Sequence, residues 1–173
     1  VEQVLYYSKI DDFSKDYFVQ ELELQSIVNQ VIKKHARTFI HKNIRIETDS
    51  TDMEVMSDKK WLLFILDQII SNSLKYTDQG GKIKIHAERD EREKRLIIMD
   101  NGIGIRPEDI DRVFDRGFTG FNGREFSKST GIGLYLARRL ARKLGHDISV
   151  ESVYGEYTCL TIHFPKLGHM LDL

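Results

Sequence analysis

The chain has 173 residues, 40% of them hydrophobic, and 26 Lys and Arg residues against 27 Asp and Glu residues leave a net charge near −1. This length fits one domain, and the balanced charge does not favour a nucleic-acid backbone as the partner. Cys159 is the only cysteine, which excludes an intrachain disulfide and a cysteine zinc cluster, and the six histidines show no ligand spacing. No apolar run reaches the ~18 residues of a membrane span.

The first part of the chain contains short elements around one clear helix. An apolar stripe over residues 1–10 predicts the end of a longer helix, because so short a helix is not stable alone. Residues 17–22 fit a short strand or an extended linker. Apolar residues then recur at helical spacing over 23–40, and residues 44–48 and 53–56 alternate as strands.

The long segment 61–77 contains no Gly or Pro and predicts a helix that Ser57 or Asp58 can cap. One side of this helix is a broad apolar arc, made of Leu62, Leu63, Leu66, Ile69, Ile70 and Leu74. The other side combines a polar row with large apolar residues, namely Gln68, Asn72, Lys75 and Tyr76 beside Trp61, Phe64 and Ile65. Such a mixed face fits the wall of a pocket, and it fits equally an amphipathic core helix with a few surface polar residues.

The second part of the chain alternates hairpins with helical segments. Residues 82–87 and 96–99 are predicted to form two strands joined by a charged loop, and 106–109 a short helix opening at Pro107. Residues 114–130 fit a long loop, 131–144 a helix, and 147–152 and 157–164 two closing strands. This order predicts an α+β two-layer sandwich, in which three helices cover one face of a mixed, mostly antiparallel sheet.

Asp100 to Ile105, DNGIGI, is the first segment that points to chemistry. Asn-Gly between apolar runs also fits a tight hairpin turn, but the residues after it lead into a helix start. The functional interpretation needs Gly102 and Gly104, because backbone can approach a ligand closely there. Asp100 ends a strand that looks buried, and its carboxylate can accept a hydrogen bond from an exocyclic amine.

The second such segment is Ser129 to Leu134, STGIGL. Two glycines at a helix start expose backbone N–H groups where the helix dipole favours phosphate, although an ordinary loop-to-helix junction has the same pattern. The neighbouring GREFSKST is not a P-loop, because Lys128 stands where the second Gly belongs and no strand precedes it.

Together, NSLKYT, DNGIGI and STGIGL resemble the N, G1 and G2 boxes of the GHKL ATPase superfamily. More narrowly, residues 16–165 resemble the catalytic and ATP-binding domain of bacterial sensor histidine kinases. QIISNSLKYT and GFTGFNGR are most similar to kinases of the bacitracin-resistance, antimicrobial-peptide-sensing type. The resemblance implies the GHKL fold, ATP and Mg²⁺ as cofactors, a dimerisation-helix remnant and linker at 1–15, the catalytic domain at 16–166 and a tail at 167–173.

The resemblance also implies roles for individual residues. Asn72 would coordinate Mg²⁺, Lys75 would supply a cation to the phosphates and Tyr76 would flank the nucleotide. Asp100 would accept from the adenine amino group, with Gly102 and Gly104 at the pocket floor. The other expected nucleotide contacts are Ile103, Phe114, Phe118, Thr130, Gly131, Ile132, Gly133, Leu134 and Thr158. Arg124 and Lys128 are charge-based candidates for lid contacts to the triphosphate, and solvated loop cations are an equal alternative.

Three positions depart from the family pattern. Gln68, expected in the catalytic set with Asn72 and Lys75, stands where sensor kinases often have Asn and hydrolytic members have Glu. Gln cannot act as a base, and Asp67 lies ~100° away around the helix, so the site is expected to be poor at hydrolysis. Ser129 and Tyr157 replace glycines of the second and third glycine boxes. These replacements are expected to affect motion of the lid more than nucleotide binding.

The expected function is a protein-histidine kinase domain that presents Mg·ATP to a histidine on a separate dimerisation domain, which then passes the phosphoryl group to a response regulator. None of the six histidines has the family's phosphoacceptor context. The parent kinase would be a membrane-anchored homodimer with this domain on the cytoplasmic face, and this chain alone would be a monomer. The alternatives are a GHKL ATPase, an anti-sigma-factor-type Ser/Thr kinase and a nucleotide-free interaction domain.

Overall fold

The structure is a computed structural model that describes residues 17–119 and 132–166. The predicted helix remnant and tail, together with Arg124, Lys128, Ser129, Thr130 and Gly131, lie outside the described residues. The helices are α1 (Leu24–Lys34), α2 (Ala36–His41), α3 (Lys59–Tyr76) and α4 (Gly133–Lys143). The strands are β1 (Gln20–Glu23), β2 (Arg45–Asp49), β3 (Glu54–Ser57), β4 (Lys82–Arg89), β5 (Glu93–Asp100), β6 (Asp147–Val153) and β7 (Tyr157–Pro165).

The main sheet has five strands in the order β2-β4-β5-β7-β6. The β2–β4 pair is parallel and the other three pairs are antiparallel, so the sheet is mixed and mostly antiparallel, as predicted. β1 and β3 form a separate antiparallel ribbon. Among the described residues, no helix combines the length and apolar character needed to cross a membrane.

Alternation along the strands gives the main sheet one buried face. On β4, Ile83 and Ile85 are fully buried while Lys84 between them is exposed. On β5 and β7 the same face carries Leu96, Ile98, Leu160 and Ile162, all at most 1% exposed. α3 packs on this face with α1 and α4 on either side of it. The two-layer α+β sandwich predicted from the order of elements is therefore confirmed.

α3 is buried on most of its circumference. Its mixed face is part of the core, because Trp61, Phe64 and Ile65 are each at most 8% exposed. Of the two predicted caps, Asp58 is the one used, and its carboxylate accepts from the Trp61 N–H at 3.0 Å and from the Phe18 N–H at 2.7 Å.

Two helix predictions need correction. The helix predicted over 23–40 is broken at His35, whose φ and ψ of −99° and 11° leave helical geometry and whose ring lies 2.5 Å from the Asp67 carboxylate of α3. The short helix predicted over 106–109 is instead a one-turn 3-10 helix, Ile110–Arg112, because the chain first makes a turn with the Asp109 N–H bonded to the Arg106 carbonyl.

Candidate functional site

The carboxyl end of α3 meets the DNGIGI loop directly. The Ile103 N–H donates to the Tyr76 carbonyl at 3.1 Å, which uses one of the carbonyl groups left unpaired at a helix end. A Cβ on Gly102 would lie 2.3 Å from the same Tyr76 oxygen. Only glycine allows this approach, so Gly102 joins the loop to the helix that carries Asn72 and Lys75.

The turn between β6 and β7 holds the loop from its other side. The Gly155 N–H donates to the Ile103 carbonyl at 2.7 Å, and the Ile105 N–H donates to the Ser152 hydroxyl at 2.8 Å. Gly104 has a φ of +71°, and a Cβ there would lie 2.4 Å from the Val153 carbonyl. The loop is therefore fixed between two elements that are distant in sequence.

Asp100 lies at the end of β5, opposite Thr158 of β7, and is 3% exposed. Burial raises the pKa of its carboxyl to about 6, and the hydrogen bond from the Gly102 N–H only partly opposes this. The Gly102 N–H donates to Oδ1 at 3.0 Å. A buried acceptor beside glycine backbone is suited to recognise a flat, amine-bearing ring.

The polar row of α3 runs towards the helix end that meets this loop. Asn72, Lys75 and Tyr76 are half-buried, whereas Ser73 and Leu74 face the core. Partial burial lowers the pKa of the Lys75 ammonium, and its Nζ lies 5.4 Å from the centre of the Tyr76 ring. The helix thus presents an amide and a cation one turn from the loop that surrounds Asp100.

Gln68 lies one turn further back and touches the start of α4. A Cβ built on Gly133 would lie 2.7 Å from Gln68 Oε1. Its neighbour Asp67 points away, towards α1, where Lys34 Nζ lies 2.9 Å from its carboxylate. Hydrogen bonds from His35 and Lys34 outweigh burial and lower the pKa of Asp67. A carboxylate in that ion pair is not available to activate water at the polar row.

The two lid phenylalanines have separate surroundings. Phe114 packs against the core beneath the Arg138 guanidinium, 4.5 Å from the ring centre. Phe118 lies under the Arg112 guanidinium at 4.6 Å. Ile132 and Leu134, at the start of α4, also pack against the core. Phe114 and Phe118 both precede residues 120–131, which lie outside the described residues, and Ile132 and Leu134 follow them.

Two residues of the β6–β7 hairpin matter in ways that the motifs did not reveal. The Ser152 hydroxyl donates to the Tyr157 carbonyl at 2.6 Å, accepts from the Ile105 N–H and lies 3.2 Å from the Thr158 hydroxyl. Tyr157 replaces a family glycine, but its hydroxyl donates to Glu151 on the open face of the sheet at 2.8 Å. Its side chain is therefore directed away from the Asp100 site.

The donor chemistry of the site fits Mg²⁺ only if a ligand supplies most of the oxygens. Among the described residues there is no group of three or more His, Cys, Asp or Glu side chains able to hold a metal. Mg²⁺ prefers octahedral oxygen ligands and keeps several waters when phosphates bind it. One amide oxygen from Asn72 together with triphosphate oxygens and water is consistent with that preference.

Comparisons with known proteins agree with this geometry. Residues 57–168 match the family described as histidine kinase-, DNA gyrase B-, and HSP90-like ATPase. The chain is 34% identical to the sensor histidine kinase YxdK of Bacillus subtilis (strain 168) over 166 residues, 95% of this chain and 51% of YxdK. It is 36% identical to the sensor protein BceS of the same organism over 165 residues, 95% of this chain and 49% of BceS.

A solved structure gives the same result for the fold. A nucleotide-free form of the catalytic domain of histidine kinase ThkA superposes with a TM-score of 0.73 at 25% identity, covering 86% of this chain and 98% of that domain. The chain spans about half the length of the curated relatives it matches.

These matches confirm the GHKL fold and the resemblance to sensor kinases of the antimicrobial-peptide-sensing type. A family of ATPases implies an ATP-binding site, which agrees with the buried carboxylate, the glycine loop and the polar helix row. The chain therefore belongs to the family of histidine kinase-, DNA gyrase B- and HSP90-like ATPases.

Proposed function

We propose that this chain is the catalytic, ATP-binding domain of a sensor histidine kinase, which presents Mg·ATP to a histidine on a dimerisation domain. The observation that carries the proposal is the position of Asp100. Its carboxyl is buried at the end of β5, and the loop that follows it is hydrogen-bonded to the last turn of α3, beside Asn72 and Lys75. The Asp100 end of this site suits a nucleobase, and the α3 end, with Asn72 and Lys75, suits phosphates.

The residues of the site have two roles, recognition of the adenine base and neutralisation of the phosphate charge. Asp100 accepts from the adenine amino group, and Gly102 and Gly104 keep side chains out of the space beside it. Lys75 neutralises phosphate charge, and Asn72 would hold Mg²⁺, which would supply further positive charge beside the phosphates. Phosphoryl transfer needs mainly this positioning and charge neutralisation, so the domain requires no nucleophile of its own.

The same geometry disfavours hydrolysis. The Gln68 amide cannot take up a proton at neutral pH, so it cannot act as a base. The carboxylate of its neighbour Asp67 is bonded to Lys34 and His35 at α1. No positioned base for water is therefore found on this part of α3. We accordingly favour transfer to a histidine over the GHKL ATPase alternative, and we expect bound ATP to turn over slowly in the isolated chain.

The wider setting is part of the proposal. The dimerisation-helix remnant would occupy residues 1–15, the catalytic domain 16–166 and a tail 167–173. The parent would be a homodimeric, membrane-anchored kinase with this domain on the cytoplasmic side, and its product would pass to a response regulator. ThkA, a neighbour in fold, is known in complex with the response regulator protein TrrA. The isolated chain would be monomeric.

Calorimetric titration with a non-hydrolysable ATP analogue, with and without Mg²⁺, tests the site. We expect binding by the wild type, weaker binding without Mg²⁺ and little binding of the corresponding GTP analogue. Asp100→Asn should abolish binding because the amide places a donor where the adenine amine also donates. Asp49→Asn, an exposed carboxylate on β2, should bind as the wild type does.

Two results would contradict the proposal. Unchanged binding by Asp100→Asn would remove the base-recognition role. Absence of binding by the folded wild type would instead favour a nucleotide-free interaction domain.

A further inference from the structure

Lys42 lies outside every motif and at the end of a rigid turn. α2 ends in a Schellman motif, in which the Ile44 N–H donates to the Phe39 carbonyl at 2.9 Å and the Asn43 N–H to the Ile40 carbonyl at 3.1 Å. Asn43 has the left-handed φ of +50° that this motif needs, and Phe39 and Ile44 are both buried. The backbone of Lys42 is therefore held in one place.

From this position Lys42 makes two contacts across the turn that follows α3. Its carbonyl accepts from the Gly80 N–H at 2.9 Å, and its Nζ donates to the Leu74 carbonyl at 2.6 Å. Leu74 belongs to the last turn of α3, whose final carbonyls have no partner within the helix. A cation at a helix carboxyl terminus also interacts favourably with the helix dipole.

Two other carbonyls of that turn have partners outside the helix. The Ser73 carbonyl accepts from both the N–H and the hydroxyl of Thr77, and the Tyr76 carbonyl accepts from the Ile103 N–H. Lys42 thus supplies the contact from the α2–β2 turn, opposite the DNGIGI loop. Asn72 and Lys75 are carried by the same stretch of helix.

We propose that Lys42 is a positioning residue for the phosphate end of the site, which it serves by fixing the last turn of α3. The inference rests on the proposed function, because it assumes that Asn72 and Lys75 face the triphosphate and its metal. Asp100, in contrast, is held by β5 and β7, and the loop beside it is bonded to the β6–β7 hairpin as well as to α3, so the base pocket depends less on the Lys42 contact than the phosphate end does. Loss of that contact should therefore weaken phosphate recognition selectively.

The test compares two ligands on the full chain. Adenosine probes the base pocket, and the non-hydrolysable ATP analogue with Mg²⁺ probes the whole site. We expect Lys42→Met to weaken binding of the ATP analogue by about five- to tenfold, less than the full value of one hydrogen bond to a charged group because the lost contact acts through the helix, and to change adenosine binding by less than about twofold. Lys42→Arg, which keeps the charge and the donor, should restore most of the affinity.

The matched control is Lys84→Met, which removes an exposed lysine from the open face of β4 and should behave as the wild type. All titrations are made at a temperature at which circular dichroism shows each variant folded. Equal weakening of both ligands by Lys42→Met, or no change in either, would overturn the inference and leave the proposed function intact. Wild type that binds neither ligand would overturn both.

Discussion

At the scale of single residues, the site depends on the Asp100 carboxyl, whose pKa burial raises towards neutral pH. The pKa of Asp100 is raised to about 6, mainly by burial, although the hydrogen bond from the Gly102 N–H favours the charged form. Both oxygens of a carboxylate can accept hydrogen bonds, so one remains for the adenine amine when the other accepts from Gly102, whereas the protonated acid has one oxygen occupied by hydrogen. Recognition of the adenine base should consequently depend on pH around 6.

We predict that adenosine affinity rises with pH through about 6 and levels off above 7. Below the pKa of Asp100 the carboxyl is neutral and must lose its proton on binding, which opposes association. Adenosine is the suitable ligand because it lacks phosphates, which titrate in the same range. Calorimetry between pH 5 and pH 8 measures the effect, and an affinity that stays constant over this range would contradict it.

Glycine positions at the site should differ in their tolerance of a methyl group. Gly102→Ala and Gly104→Ala would each place a Cβ within 2.4 Å of a backbone oxygen, and Gly104 also has a positive φ. We expect each to lower the free energy of unfolding by about 1–3 kcal/mol, as overpacking does. Urea denaturation of the purified variants measures this.

Gly133→Ala provides the contrast. Its Cβ would meet only Gln68 Oε1, the end of a flexible side chain that can rotate away, and alanine is favoured over glycine within a helix. Stability should therefore stay within about 1 kcal/mol of the wild type or rise slightly. A loss as large as that of Gly102→Ala would show that Gln68 is fixed more firmly than its contacts indicate.

At the scale of elements, the start of α3 depends on one buried cap. Asp58 accepts from the Trp61 and Phe18 N–H groups and is 4% exposed. Asp58→Ala should lower the free energy of unfolding by about 2 kcal/mol, the upper part of the range for helix caps. Asp58→Asn keeps an acceptor oxygen and should lose less than half of that. Asp52→Ala, at an exposed neighbouring position, is the control, and equal losses at the two positions would contradict the cap.

His146 joins α4 to the β3 ribbon and should make the fold acid-sensitive. Its ring lies 2.8 Å from the Ser57 hydroxyl and edge-on to Phe164, and burial lowers its pKa to about 4. The unfolded chain binds this proton near pH 6.5, so the stability held above that pH is lost as pH falls towards 4. The full loss is about 3 kcal/mol.

The effect of His146 is measured as the difference in free energy of unfolding between the wild type and His146→Gln. Asp100 acts in the opposite direction, because its raised pKa favours the folded state as pH falls from 6 to 4. The stability of the wild type relative to His146→Gln, followed by urea denaturation from pH 7 to pH 4, isolates the histidine. Parallel curves for the two proteins would contradict the assignment.

At the scale of the whole molecule, the described residues form a candidate nucleotide site, and none of their histidines is a suitable phosphoacceptor. Of the five histidines that the structure describes, His35 and His41 are not followed by Glu or Asp, His86 and His163 lie in strands, and His146 is buried, although Asp147 follows it. With γ-labelled ATP the chain alone should stay unlabelled, while an added dimerisation domain should accept label. Acid-labile label on this chain alone would contradict the prediction.

Much of this arrangement could be predicted from local sequence. The period of α3, the turn at its end and the glycines of DNGIGI are properties of neighbouring residues, so Asn72, Lys75 and Asp100 could be identified together. Arg124 and Lys128 remain sequence predictions, since they lie outside the described residues. The break at His35 could not be predicted from local pattern, and the carboxylate that its ring contacts, on Asp67, is 32 residues away in sequence.

The sequence by itself determined the family, the order of elements and the residues of the three motifs, because each depends on short-range pattern and chemistry. Only the tertiary structure decided which groups hold those motifs in place. Ser152 meets Ile105 across 47 residues and Lys42 meets Leu74 across 32, through contacts of a hydroxyl or an ammonium with backbone groups. Such contacts leave no periodic trace, since they depend on which distant segments the sheet and helices bring together.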